Sequence, residues 1–169
     1  MDLPRQLERM ASQAEAIASL TRSLTVDEAC YRIEESSWSV VEVMGHLLDE
    51  EREDFRVRLD YILHRPGEPW PPINPQGWVT ERRYRERDLA GTVEGFLAER
   101  GRSLAWLRGL GEPEWCTEGQ APFGVISAGD MFASWVAHDV LHLRQLVKLR
   151  WALTVRALEP HATRYAGDW

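Results

Sequence analysis

His138 and His142, in His138-Asp139-Val140-Leu141-His142, stand four residues apart. On a helix that spacing stacks two imidazoles over one another on one face. Two neutral imidazoles so placed can share a divalent cation, and a third from another helix leaves one coordination position open for chemistry. His46, in Val43-Met44-Gly45-His46-Leu47-Leu48-Asp49-Glu50, is the candidate third ligand. The bland alternative is three hydrogen-bonded core histidines. It requires the pair to find separate acceptors, since charging both in a core is costly.

Three metal readings compete on the bare residues. His-Asp-Val-Leu-His resembles the zincin HExxH with aspartate in the glutamate position, one methylene too short to hold a hydrolytic water well. Glu159 would have to be its distant third ligand. A di-iron bundle wants Glu-x-x-His on each of two helices, and only Asp139-x-x-His142 comes close. A mononuclear site of His46, His138 and His142 asks for nothing that is missing. His64 and His161 read as surface or capping histidines.

The elements that would position these residues are helical. Leu3, Leu7, Met10, Ala14, Ile17 and Leu20 recur at helical intervals over about 3–23, with Pro4 in the first turn. Ser39 and Glu42 have capping-box spacing after Trp38, a candidate hydrophobic staple, and predict a second helix running to about His64, before Pro66 and Gly67. His46 lies at the margin of its apolar face with Glu50 one turn on. Residues 65–88 carry five prolines with Trp70 and Trp78, and read as a long crossover over the bundle. A third helix follows over about 89–110, then an irregular stretch, Glu112 to Ile126. The fourth helix, capped at Ser127, runs to about Arg156 with Met131, Trp135, His138, His142, Gln145 and Leu149 on its seam.

Composition narrows the function. The 169 residues suit one domain, 1–169, with a real core. A net charge of −7 argues against nucleic acid as a partner. The one basic run, Glu81 to Arg87, is diluted by glutamates and reads as a solvated face. Cys30 and Cys116 form no CxxC, no stretch approaches a membrane span, and no signal peptide opens the chain, so a cytoplasmic protein is expected.

Trp38 through Glu51, followed by His138 through Leu146, closely resembles the DinB/YfiT-like superfamily, and the tail Tyr165 to Trp169 is similar to endings in that family. The resemblance implies an all-α four-helix bundle with long crossover loops, often a homodimer. In it His46, His138 and His142 would hold one divalent metal ion, commonly zinc or nickel. Characterised relatives include transferases using low-molecular-weight thiols such as bacillithiol, and a mycothiol-dependent maleylpyruvate isomerase. Related domains occur in ergothioneine-type sulfoxide synthases. The implied function is a metal-dependent transferase that activates such a thiol for a small-molecule substrate. The alternatives are a hydrolase with a metal-activated water and a non-catalytic, stress-associated dimeric binding protein. Glu50 reads either as a residue that orients a ligand or accepts a proton, or as a solvated member of the acidic run Asp49–Asp54. Asp139 reads as structural or as support for a ligand. Trp70 and Trp78, with Trp115 and Phe123, are expected to cover a substrate pocket.

Overall fold

Four long helical segments pack side by side in a computed structural model that describes residues 1–167. Asp168 and Trp169, the end of the tail motif, lie outside the described residues. Helix α1 spans Leu3–Thr21, a short α2 Val26–Ala29, α3 Val40–Glu53, α4 Phe55–His64, α5 Pro75–Glu81, α6 Leu89–Gly109 and α7 Ala128–Ala157. The bundle is α1, the α3–α4 arm, α6 and α7: α1 packs on α6 and α7, α3 on α6, and α4 on α7. Its interior falls into two apolar layers. One is centred on Met10, Leu59, Leu107, Phe132 and Trp135, and the other on Ile17, Val43, Met44, Phe96 and Leu146. The fold is the expected four-helix bundle, and no described helix is long and apolar enough to cross a membrane.

The helix predicted over Ser39 to His64 is two helices. At Asp54 the backbone turns to φ −114°, ψ −91°, and α4 leaves in a new direction. Aspartate is a weak helix former, so little local preference carries α3 straight through this point. Asp54 pairs with Arg58 across the break. The turn brings Phe55 onto Trp135, rings stacked with centroids 5.9 Å apart. At the other end of α3 the expected capping box is present: the Ser39 backbone N–H and hydroxyl donate to Glu42 Oε2 at 2.8 and 2.7 Å.

The crossover is more ordered than its prolines suggested. Asn74 caps α5 by accepting from the Gly77 N–H at 3.1 Å, with Pro75 at the first helical position. A 3-10 turn, Tyr84–Glu86, follows. Arg82 and Arg87 correct the reading of this run as a solvated face. Both reach inward to Asp49 Oδ2, at 2.8 and 3.1 Å, where the Tyr84 hydroxyl also donates at 2.7 Å. Their guanidinium groups lie over the Trp78 and Tyr84 rings. The second irregular stretch contains a small antiparallel hairpin, β1 (Glu118–Ala121) with β2 (Gly124–Ser127), closed by Pro122 and Phe123 with Gly124 at φ +131°.

Gly45 is where the crossover meets α3. A Cβ there would lie 2.7 Å from Tyr84 Cγ, and the Tyr84 ring is fully buried with its hydroxyl tied to Asp49. Neither side can give way. Gly45→Ala is expected to destabilise the protein by about 1–3 kcal/mol through overpacking, against its better helix propensity. Urea unfolding of the two proteins checks this, and a neutral or stabilising change would contradict it.

Candidate metal centre

The break at Asp54 and the packing of Tyr84 against Gly45 set the pose of α3, so that His46 faces α7. On α7 the four-residue spacing does what the sequence required, and His138 and His142 stack one turn apart opposite His46. Ring centroids are 4.4 Å apart for His138 and His142, 4.8 Å for His46 and His142, and 5.4 Å for His46 and His138. One ring nitrogen from each lies within 4.8 Å of the others, a set that could hold a metal ion. His46 and His142 are buried and His138 is partly exposed, so solvent reaches the trio on its His138 side. Trp38 packs on His46 and Phe55 on His138, each at 4.9 Å. Trp38 thus walls the site beyond any role as a staple.

The electrostatics suit a cation. Burial is the largest cause that lowers the pKa of His46 to about 3, helped by His142 and opposed by Asp49. Burial, then the neighbouring imidazoles, lowers His138 to about 3 as well. His142 is lowered by burial and partly restored by Gln145. All three are neutral at pH 7. The His138 and His142 Nε2 atoms lie 3.1 Å apart, while His142 Nδ1 lies 2.9 Å from Gln145 Oε1. An Nδ1–H donated to that amide oxygen leaves the His142 Nε2 lone pair aimed at its neighbour's nitrogen, an arrangement a shared cation satisfies. His46 Nδ1 is buried without any hydrogen-bond partner. The residues fit a metal.

These shifts predict an acid-sensitive metal-free protein. An imidazole with a folded pKa near 3, against an ordinary 6.5, binds fewer protons folded than unfolded in between. The associated stability is complete above about pH 6.5 and is lost as pH falls towards 3. Thermal midpoints of the metal-free protein should fall through that window, and by less in a variant lacking His138 and His142. Equal slopes would contradict the assignment.

Glu50 is not solvated. It is 4% exposed, and its Oε1 has no hydrogen-bond partner. Burial, then the Asp54 carboxylate, pushes its pKa up to about 8 against the pull of Arg58. Asp139 is structural, as expected, and its partner is a residue that sequence reasoning missed. Arg100 on α6 donates to both Asp139 oxygens at 2.6 and 2.9 Å and to both Glu51 oxygens at 2.9 and 2.8 Å. It also meets the Met10 carbonyl at 3.1 Å, and the Trp135 indole N–H donates to Glu51 at 3.0 Å. The available signal was an arginine four residues after Phe96 and four before Leu104, on an apolar stripe. With Asp139 so engaged, the zincin reading has no base. Its other ligand is also missing, since Glu159 is exposed beyond the end of α7.

The remaining expectations divide. His64 and His161 are exposed, with His64 beside Asp60 at 2.9 Å. Trp78 packs with Tyr84, Ile73 and Trp38, and so stands behind the wall of the site. Trp70 holds Arg58 under its ring and, with Gly119 and Gln120, lines a groove of about 380 Å³. Trp115 and Phe123 do not come to the histidines: Trp115 stacks on Phe132 in the core, and Phe123 is exposed at the hairpin tip.

The family model of the DinB superfamily matches residues 7–146, a span that contains all three histidines. The chain belongs to the DinB superfamily. A solved structure of YfiT from Bacillus subtilis, described as a probable metal-dependent hydrolase with an unusual four-helix bundle topology, superposes with a TM-score of 0.80. That match covers 90% of this chain and 87% of YfiT at 16% sequence identity. At that identity the likeness establishes the bundle and leaves the chemistry to the site. No curated protein matches the chain.

Proposed function

We propose that this DinB-superfamily protein holds one divalent metal ion, zinc or nickel, on His46, His138 and His142, and uses it in a transfer reaction whose nucleophile is a low-molecular-weight thiol of the bacillithiol or mycothiol type. The observation that carries the reading is the convergence of three neutral imidazoles, from two helices, on one partly open point. A divalent cation bound there supplies a lowered pKa to a thiol or water beside it, and so a nucleophile at neutral pH. The chain's own residues do the rest. Gln145 orients His142, Trp38 and Phe55 exclude water from two sides, and the Arg100 cluster fixes the α7 face that carries both ligands.

A hydrolase with water as nucleophile is the second reading, favoured by the description of YfiT. The two part on one experiment. Metal-loaded protein is assayed with electrophilic small molecules, with and without added thiol. Thiol-dependent adduct formation supports the transferase, and ester or amide cleavage without thiol supports the hydrolase. Neither activity in protein carrying one metal per chain supports a binding protein instead. A homodimer and a cytoplasmic location belong to the same proposal. Light scattering should give twice the chain mass, and a monomer would remove the dimer.

A further inference from the structure

Three successive acids at the end of α3 point about 100° apart around the helix, and two have complete sets of partners. Asp49 faces the crossover and takes Tyr84, Arg82 and Arg87. Glu51 faces the core and takes Arg100 and Trp135. Glu50, between them, is buried too and keeps an oxygen without a partner. It lies one helical turn from His46 on the same face, and His46 Nδ1 is itself a buried atom without a partner. Two buried polar atoms on one helix face, each without a protein partner, call for a partner that is neither backbone nor side chain.

We infer that Glu50 is the proton-exchanging residue of this site, meeting the group that occupies the open position beside the three imidazoles. The inference rests on the metal-dependent reading above. When a thiol or water enters, its S–H or O–H bond breaks and the electron pair stays on sulfur or oxygen. The proton goes to a Glu50 carboxylate oxygen. As the nucleophile bonds to the electrophile, the bond to the leaving group breaks, and Glu50 returns the proton to the leaving atom. The charges around Glu50 suit both directions. Asp49 and Asp54 oppose its ionisation, Arg58 from α4 favours it, and the two α7 imidazoles are neutral. A divalent cation beside the carboxyl favours the ionised form, so metal binding readies it to accept.

Zinc calorimetry on metal-free protein at pH 7, in two buffers of different ionisation enthalpy, counts the protons released. The histidines are already neutral and contribute none. Wild type should release about one proton more than Glu50→Gln, with one zinc bound by each. Glu50→Asp, which keeps a carboxyl, should recover that proton. The transfer rate of Glu50→Gln should fall by about 10²-fold or more. Equal proton release in wild type and both variants overturns the inference while leaving the metal reading intact. Loss of zinc from Glu50→Gln also overturns it, because the carboxyl would then be holding the metal. A wild type that binds no zinc and no nickel fails at the earlier step, the metal reading itself.

Discussion

Protein carrying His138→Ala and His142→Ala together should retain no divalent metal. Wild type purified without a tag should hold about one divalent ion per chain by elemental mass spectrometry, and the variant essentially none. The size of the effect follows from the donor set. Two of three protein ligands are removed, and His46 alone cannot retain an ion against water at ordinary concentrations. The variant should still fold. His138 is partly exposed, and the apolar layers around Trp135 and around Met44 are built from other side chains. Deleting them also removes two groups that burial holds neutral, so the acid sensitivity of the metal-free protein should shrink as the metal site disappears. Metal at wild-type stoichiometry in the variant would end the three-histidine assignment.

Arg100→Met should be the most destabilising single change near the site, by about 3–5 kcal/mol in urea unfolding. The side chain is 2% exposed and its guanidinium serves two carboxylates, Glu51 at 2% and Asp139 at 1%. Methionine fills the volume but leaves both acids in the core without a cation. Burial already holds Asp139 above the usual carboxylate range despite Arg100, so the variant must protonate acids or open the core. Adding Glu51→Gln and Asp139→Asn to Arg100→Met should recover part of the loss, since the cost lies in unpaired charge and not in the absence of the pair. The change should reach the site as well. Asp139 adjoins His138, and Glu51 holds the Trp135 indole one turn earlier on α7. Weaker zinc binding by Arg100→Met, measured by chelator competition where the variant is still folded, checks this coupling. A loss below about 1 kcal/mol would show that the cluster is dispensable.

The contrast between Asp139 and Glu50 shows how far the sequence reaches. The four-residue spacing of His138 and His142 determines their common face, because helical periodicity is a local property of the chain. Helix starts were legible for the same reason, at Ser39 with Glu42 and at Ser127, where the serine hydroxyl accepts from the Asp130 N–H. That His46 belongs with the pair was legible through the family motif. Burial was harder to read. In the run Asp49 to Asp54 every residue is polar in sequence, yet Asp49, Glu50, Glu51 and Asp54 are buried while Arg52 is exposed, and only their neighbours in space give the acids different roles. Arg82, Arg87 and Arg100 come from segments tens of residues away, and no local pattern announces such partners.

The helix break at Asp54, the short helix α5 within the prolines and the hairpin at Glu118–Ser127 were missed for a related reason. Each is settled by small local preferences that packing outweighs. By itself the sequence determined the helical class, the pairing of His138 with His142, and the charge that argues against nucleic acid as a partner. Tertiary structure decided the distance from His46 to that pair, the neutrality of all three imidazoles, and the burial of Glu50. Those properties depend on which distant groups exclude water from a given atom, and water exclusion is a property of the assembled bundle.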